Sequence, residues 1–253
     1  MNRERRNKIA EMLETKATIQ NSEIMERFGI SIETVRRDLE FLEKEGVLER
    51  VYGGAVKKNF INSEPAYQRR LNTSRTEKEL IAAEAQKFID ERDTIFFDIG
   101  TTVSLIAERA DKGKKITAFT NSLRTAIILA ERDFKVFLPG GQLRCDELSL
   151  SGSMSEHNMD NFNIDKAFIC AAGIGKDGVT DLVESEACLR RKIIKNAGKV
   201  IVVADHTKFS VRAMCNVCAA ADIDVLITDE KAPRKILKEL ENQGVKIIIS
   251  HTQ

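Results

Sequence analysis

The sequence predicts a two-domain α/β protein, a small, mostly helical N-terminal domain followed by a larger domain built on a mostly parallel sheet. Three observations carry this. Only four of the 14 glycines, Gly29, Gly46, Gly53 and Gly54, precede residue 59, and each sits between short helical or strand patterns. Later glycines follow apolar, β-branched runs, as in Phe97-Asp98-Ile99-Gly100 and Leu138-Pro139-Gly140-Gly141. Between the two regimes, residues 59–73 are polar, contain Pro65 and hold no sustained period, the composition of a joint. The expected organisation is a domain over 1–58, a linker over 59–74 and a domain over 75–253.

In the first domain, Ile9, Met12 and Leu13 mark one helix by their i, i+3, i+4 spacing, and Ile24 and Phe28 mark a short second one. Gly29 stops that helix, because glycine tolerates the left-handed conformation required past a helix end. Ser31 then caps a third helix whose Val35, Leu39 and Leu42 form an apolar stripe ending at Gly46. Two helices joined by a tight turn are followed by Val47-Leu48-Glu49-Arg50-Val51, a Tyr52-Gly53-Gly54 turn and Ala55-Val56, the pattern of a hairpin. Three helices and a hairpin in this order make a winged helix-turn-helix.

The second domain opens at Ser74-Arg75-Thr76-Glu77, which reads as a capping box, ahead of Ile81, Ala85, Phe88 and Ile89 on one helical face. Strands are expected over 94–98, 116–119, 136–138, 167–171, 200–204, 225–228 and 245–249, with helical patterns between most of them. Strands that are apolar almost throughout and alternate with helices belong to a parallel sheet covered on both faces. Ligands of such sheets bind beyond the carboxyl ends of the strands.

Composition excludes several classes. Of 253 residues, 42% are hydrophobic and 31% charged, with 3 prolines, which is globular rather than fibrous or disordered usage. No apolar run is long enough for a membrane span, and Met1-Asn2-Arg3-Glu4-Arg5-Arg6 leads into no signal-peptide core, so a cytoplasmic protein is expected. The five cysteines are odd in number and scattered, which suits reduced thiols, and Cys215-x-x-Cys218 lacks the second pair of a zinc site. His157 and His251 lie in polar surroundings, and no histidine cluster supports a metal. No metal and no cofactor are expected. Formal net charge is +1, and residues 1–58 carry 12 basic against 11 acidic residues, so any case for DNA rests on where the charges sit.

They sit on the third helix. With Val35, Leu39 and Leu42 turned to the core, Glu33 and Arg37 fall on the far face and Thr34 and Arg36 flank the stripe, all near the end that enters a major groove. Arginine can fork onto guanine or neutralise a phosphate, threonine can touch a thymine methyl, and Ser31 at the helix start can meet a phosphate. Asn21 and Ser22 at the head of the second helix and Arg50 on the wing complete the expected DNA-binding set. Arg3, Arg5, Arg6, Lys57 and Lys58 are expected to add contacts to the DNA backbone, whereas Glu40, Glu43 and Glu45 confine contact to the first two turns.

The run Phe28-Gly29-Ile30-Ser31-Ile32-Glu33-Thr34-Val35-Arg36-Arg37-Asp38-Leu39, with Gly46, Leu48, Arg50 and Gly53-Gly54-Ala55 behind it, resembles the N-terminal signature of the DeoR family of bacterial sugar-catabolism regulators. The resemblance continues through Asp98-Ile99-Gly100-Thr101-Thr102, Thr120-Asn121-Ser122, Pro139-Gly140-Gly141-x-Leu143-Arg144, Gly152, Asp165-Lys166-Ala167-Phe168 and Asp205-His206-Thr207-Lys208-Phe209. It implies a second domain similar to ribose-5-phosphate isomerase, glucosamine-6-phosphate deaminase and CoA transferases, which senses a phosphorylated sugar or related metabolite. A repressor that leaves a double-stranded DNA operator on binding this effector, and that works as a homo-oligomer, dimer or tetramer, is what the family leads one to expect.

The residues support an effector site in their own right. After the strand at 94–98, Gly100-Thr101-Thr102 turn into a helix and offer backbone N–H groups, two hydroxyls and a helix N-terminus to an anion. Asn121 and Ser122 stand in the equivalent place after the next strand, Gly140 and Gly141 permit close backbone approach after the third, and Lys208 is a candidate counter-charge. Asp98 belongs to the same set. Arg144 fits either the pocket or a subunit contact. Gly173-Ile174-Gly175-Lys176-Asp177-Gly178 satisfies G-x-G-x-x-G, yet Lys176-Asp177-Gly178 is turn chemistry and the next helix begins near Ser185, so no dinucleotide site is expected. That segment instead resembles a family loop lining the sugar site, which adds Asp177. For catalysis, Asp98, Asp177, Asp205 and His206 are raw material, but the acid-rich run of the isomerases is replaced by Asp165-Lys166-Ala167-Phe168-Ile169-Cys170. The expectation is a regulator rather than an enzyme, with a sugar-phosphate isomerase or deaminase tethered to DNA as the alternative.

Overall fold

A computed structural model describes residues 2–15, 18–44, 47–57 and 64–251. Glu45, Gly46, Lys58 and residues 59–63 of the expected linker lie outside the described residues, as do the side chains of Arg3 and Lys57. The chain forms two compact units, Met1–Ile61 and Asn62–Gln253.

The first unit runs α1 (Asn2–Thr15), β1 (Thr18–Gln20), α2 (Asn21–Phe28), α3 (Ile32–Lys44), β2 (Leu48–Val51) and β3 (Gly54–Lys57). Gly29 ends α2 at φ +59°, and its N–H reaches the Met25 carbonyl. At the start of α3 the Thr34 N–H donates to Ser31 Oγ at 3.4 Å. Ile9, Met12 and Leu13 of α1 meet Ile24, Val35, Leu39, Leu42, Leu48 and Ala55 in one core, so the stripe residues are interior. The hairpin β2–β3 is joined by a third strand: β1 pairs antiparallel with β3, Ile19 opposite Ala55. Three residues are too few to show the two-residue period of a strand, which is why β1 left no trace in the sequence.

The second unit opens with α4 (Tyr67–Asn72), within the segment expected to be patternless, and α5 (Arg75–Ala85). Six residues cannot display a helical period, and side-chain contacts described below hold α4 in place. The expected capping box at Ser74 does not form. Ser74 takes a left-handed φ of +49°, and no side-chain cap hydrogen bond forms. Then follow β4 (Thr94–Phe97), α6 (Thr101–Arg109), β5 (Thr117–Thr120), α7 (Leu123–Glu131), β6 (Lys135–Phe137), β7 (Gln142–Arg144), β8 (Ser149–Ser151), α8 (Ser153–Met159), β9 (Ile164–Cys170), β10 (Gly173–Gly175), β11 (Gly178–Asp181), α9 (Glu184–Asn196), β12 (Ala197–Val203), β13 (Cys215–Ala219), β14 (Val225–Asp229), α10 (Arg234–Glu241) and β15 (Lys246–Ser250).

Each of the seven strands expected from the sequence is a strand of one sheet, in the order β15-β14-β12-β9-β4-β5-β6. Every neighbouring pair is parallel. Alternation divides the strands between two cores. Ile95, Phe97, Phe168, Ile201 and Val203 pack under α5 and α6 on one face, and Phe96, Ala167, Ile169, Val200 and Val202 pack against α9 and α10 on the other. The chain leaves β4 towards β5 and β6, then returns to the opposite side of β4 as β9 and continues to β12, β14 and β15. The strand order therefore reverses between β4 and β9, and a crevice at the carboxyl ends of such strands is where open α/β sheets bind ligands. Two smaller antiparallel pieces, β7–β8 and β10-β11-β13, decorate the sheet. The G-x-G-x-x-G segment is the β10–β11 hairpin, with Gly173 opposite Thr180 and Gly175 opposite Gly178.

Candidate functional site

In the first unit, α3 presents its polar side at its N-terminal end. Glu33, Arg36 and Arg37 are exposed, Thr34 is half-buried, and among the described residues no side chain pairs with Arg36 or Arg37. Two guanidiniums held on a capped helix without internal partners are free to meet a base edge or a phosphate. Asn21 and Ser22 open α2. Asn21 N–H donates to the Gly53 carbonyl at 2.8 Å, while Asn21 Oδ1 is buried without a hydrogen-bond partner and Ser22 is exposed. Arg50 is fastened to α3, its Nε donating to Glu43 Oε2 at 2.8 Å and its backbone N–H to Glu43 Oε1 at 2.9 Å, which fixes the wing against the helix.

Arg5 and Arg6, expected as contacts to the DNA backbone, are engaged inside the unit. Their Nε groups donate to Asp38 Oδ2 at 2.6 Å and Oδ1 at 2.8 Å, and Arg6 also stacks on Phe41 at 3.9 Å. Asp38 is buried, and a carboxylate taken out of water needs such partners. The two arginines therefore bind α1 to α3.

In the second unit, a hollow opens at the reversal point of the sheet. It is lined by Gly100, Thr101 and Thr102 after β4, by Cys170 and Ala171 at the end of β9, and by Val203, Ala204 and Asp205 at the end of β12, with Lys208, Lys78 and Arg70 adding charge. Gly100 is required where it stands. Its φ is +138°, and a Cβ there would lie 2.5 Å from Cys170 Sγ. The Ser104 N–H donates to the Gly100 carbonyl at 3.0 Å, so Gly100 enters α6 directly and the N–H groups of the first helical turn face the crevice end. A helix N-terminus ringed by three cationic side chains is an anion site in electrostatic terms.

Lys78 is 3% exposed, and its Nζ donates to the carbonyls of Arg70 and Thr73, the latter at 2.7 Å. Burial pulls its ammonium below the ordinary lysine value against the opposing pull of Asp205, whose Oδ2 lies 3.7 Å away. That Oδ2 is buried with no hydrogen-bond partner, whereas Oδ1 accepts from Thr207 N–H at 2.9 Å and from its hydroxyl. An unsatisfied buried acceptor beside a cation is a place where a ligand hydroxyl gains a partner. Burial pushes the Cys170 thiol up to about 12, which leaves it a neutral wall.

The structure thus gathers Gly100, Thr101, Thr102 and Lys208 from the expected effector set around one hollow and distributes the rest. Asp98 is fully buried behind it, accepting from Ile99 N–H at 2.8 Å, Cys170 N–H at 3.0 Å and Arg190 Nε at 2.6 Å. Arg190 is paired with Asp181 as well, and although burial works against its charge, the two carboxylates raise its pKa well above the ordinary value. Asp98 therefore positions the Gly100 loop. Asn121 and Ser122 end the neighbouring strand β5: Ser122 Oγ accepts from Thr125 N–H at 3.2 Å as the cap of α7, while both amide atoms of Asn121 are buried without partners. Gly140 takes a left-handed φ of +70°, and Gly141 serves close packing within the unit, since a Cβ there would collide with Ser155 Oγ and the Ser151 carbonyl. Asp177 lies exposed on the β10–β11 turn, its carbonyl accepting from Ala220 N–H at 3.2 Å. His206 is bound to Asp229, Nδ1 to Oδ1 at 3.0 Å. Arg144 joins Glu64 at 2.8 Å, Asp146 at 3.0 Å and Glu186 at 3.1 Å within its own unit.

Lys78 and Arg70 were missed in the sequence. For Lys78 a signal existed: it falls three, four and seven residues before Ile81, Ala82 and Ala85, on the apolar stripe of α5, where a lysine needs a buried partner. Arg70 sits on the short helix α4, which has no readable pattern.

A family model described as the DeoR-like helix-turn-helix domain matches residues 5–59, and one described as the DeoR C terminal sensor domain matches residues 73–230. The HTH-type transcriptional regulator YulB of Bacillus subtilis is 33% identical over 96% of this chain and 95% of its own length. GolR, an HTH-type transcriptional regulator of Listeria innocua, is 31% identical over 98% of both chains. The glycerol-3-phosphate regulon repressor of Escherichia coli is 29% identical over 96% of this chain and 97% of that one. Among solved structures, a ribose 5-phosphate isomerase A from Methanocaldococcus jannaschii aligns with a TM-score of 0.40 at 14% identity, over 54% of this chain and 55% of that one.

Proposed function

The chain belongs to the DeoR family of transcriptional regulators, and from that premise we propose that it is the repressor of a sugar-catabolism operon, released when a phosphorylated sugar or related metabolite fills the hollow at the sheet reversal. The observation that carries the effector half is the convergence of the α6 N-terminus with Lys78, Lys208 and Arg70. In this reading a phosphoryl group sits at Gly100-Thr101-Thr102 with Lys208 as counter-charge, and the orphaned Asp205 Oδ2 accepts from a sugar hydroxyl. Asn121, with a buried donor and acceptor unpaired at the next strand end, lies outside the lining of the hollow and is kept in the set only for those two free groups.

For the DNA half, Arg36 and Arg37 with Ser31, Glu33 and Thr34 form the reading surface, Asn21 and Ser22 support it, and Arg50 places the wing. Two or more copies, in the cytoplasm, set their recognition helices at half-sites of one operator, and the effector favours a state that misplaces them. The reading is of a non-catalytic protein. Of the four groups considered for acid–base work, Asp98 is fully engaged, His206 is tied to Asp229 and Asp177 is not among the lining residues, so Asp205 is the one of the four that lines the hollow.

A thermal-shift panel of glycerol 3-phosphate, hexose phosphates and pentose phosphates, each beside its unphosphorylated counterpart, tests this reading. A ligand at about 100 times its Kd stabilises the native state by about 2.7 kcal/mol, a shift of several degrees. Phosphorylated members are expected to raise the melting temperature in the wild type and to lose that effect in Thr101→Val and Lys208→Ala. An equal effect in all three proteins removes the pocket. Turnover of any panel member by the purified protein supports the isomerase or deaminase alternative.

A further inference from the structure

The two edges of the seven-stranded sheet are built differently. At one edge β6 is three residues long, its Lys135 lies over the Phe137 ring at 5.1 Å, and Pro139 follows directly after Leu138. Short length, lysine and proline are how proteins keep an edge from pairing. At the other edge β15 runs Lys246-Ile247-Ile248-Ile249-Ser250, and its central residues carry neither charge nor proline. One side of it pairs in parallel with β14, and among the described residues no strand pairs with the other. The Lys246 N–H donates to the Asp224 carbonyl at 3.0 Å, towards β14. Successive residues of a strand turn their N–H and C=O groups to opposite edges, so Ile247 and Ile249 turn theirs to the open side. Ile248 packs against the core under α5 and Ile247 against the core under α10, while Ile249 is 38% exposed.

We propose that β15 is the contact between two copies of this chain, which pair through it antiparallel about a twofold axis and extend the two sheets into one. Centred on Ile248, that register sets Ile247 opposite Ile249 of the second copy. Both residues hold their N–H and C=O groups at the open edge, so each such pair exchanges backbone hydrogen bonds in both directions. The isoleucines then meet across the junction as cross-strand pairs on both faces of the sheet. Charge fits the same register. Lys246 arrives at Ser250 of the second copy, next to which Glu230 stands 3.8 Å from His251. Lys246 and Glu230 are exposed, and within one copy they lie at opposite ends of β15, since Val225 is level with Lys246 and Asp229 with Ser250. The twofold therefore brings each lysine to a glutamate that its own chain cannot offer it. The pairing also supplies the second recognition helix that the proposed function requires, and for that consequence it rests on the two-copy reading.

The test uses the full chain, with sedimentation to give its mass and hydrogen exchange to give the protection of the Ile247 and Ile249 amides. The wild type is expected to sediment as a dimer or a multiple of it, with both amides protected. Ile249→Lys, which puts a charge on the edge, and Ile249→Pro, which removes only an N–H that β14 does not use, are each expected to halve the mass and to release the protection at Ile247. Lys246→Glu is expected to halve the mass as well, and Lys246→Glu with Glu230→Lys to restore it. Ile249→Lys and the charge-swapped pair keep the test decisive where Ile249→Pro fails to fold. On a duplex with two half-sites, Ile249→Lys is expected to bind about a hundredfold more weakly, with binding to a single half-site unchanged. A wild type that sediments as a single chain overturns the proposal. Ile249→Lys at wild-type mass overturns it and leaves the two-copy reading standing, with the contact elsewhere. A loss of mass in Lys246→Glu that the double variant fails to restore overturns the register.

Discussion

Replacing Gly100 by alanine tests the geometry of the reversal point most sharply. The residue has φ +138° and ψ 154°, a region that belongs almost only to glycine and costs an L-residue about 1–3 kcal/mol. The new methyl group would also stand 2.5 Å from Cys170 Sγ and 3.1 Å from Cys170 Cβ, where the Gly100 loop packs against the end of β9. Forcing a methyl group into packed surroundings costs about 1–3 kcal/mol more. The sum is about 4 kcal/mol, which at about 2–4 °C per kcal/mol for a unit of this size lowers the melting temperature by about 8–16 °C. Cys170→Ala removes the sulfur and not the backbone strain, so the pair Gly100→Ala with Cys170→Ala is expected to recover roughly the packing half, about 2 kcal/mol. Urea unfolding of the wild type, both single variants and the double variant gives the cycle directly. A Gly100→Ala protein within about 1 °C of wild type, or a Cys170→Ala background that recovers nothing, refutes the reasoning that this loop is held by contact between β4 and β9.

Arg37→Ala is expected to weaken binding to an operator duplex by about 1–3 kcal/mol without moving the melting temperature, since Arg37 has no side-chain partner among the described residues. Arg6→Ala should do the reverse, destabilising the first unit by about 2 kcal/mol because buried Asp38 loses one of its two cations. Anisotropy titrations and thermal melts of both proteins separate the two roles, and a stability loss in Arg37→Ala would show that the face is structural. Lys166 gives a prediction in pH. Burial alone would lower its pKa, but hydrogen bonds to Asp90 and Asp93 hold it above the ordinary value of 10.5. A folded-state pKa raised above the unfolded one gives stability that is full below about pH 10.5 and is lost as pH rises through the folded value. Lys166→Met is expected to be less stable at pH 8 and to lose less between pH 10 and 12, and parallel stability curves for the two proteins would contradict the assignment.

The seven sheet strands were legible because burial on both faces writes an unbroken apolar run, and the helix-turn-helix because its stripe, its left-handed glycine and its Ser31 cap fall in register. What escaped has a common cause. The strands β1, β7, β8, β10, β11 and β13 and the helix α4 are three to six residues long, or are fixed by partners far away in sequence, and no local pattern encodes a partner. The same holds for side-chain roles. Asp98 and Gly141 stand beside motif residues, but Arg190, 92 positions on, and Ser155 decide that the one carries an ion pair and the other a close contact. Ser74 shows how a motif can match and still fail, for its φ of +49° is incompatible with a helix cap. Lys78 was readable as a lysine on an apolar stripe, yet its partner Asp205 lies 127 residues away and only the fold brings the two together.

The account turns on whether an anion in the hollow reaches the DNA. A fluorescent duplex recovered by selection from random sequence, bound by the full chain at fixed salt, is titrated with each sugar phosphate while anisotropy follows the complex. The account predicts that at least one phosphorylated sugar dissociates the wild-type complex, that its unphosphorylated form does not, and that the Lys208→Ala complex stays bound throughout. A Lys208→Ala complex that dissociates at the same concentration as wild type, or a wild-type complex indifferent to every compound, would contradict it.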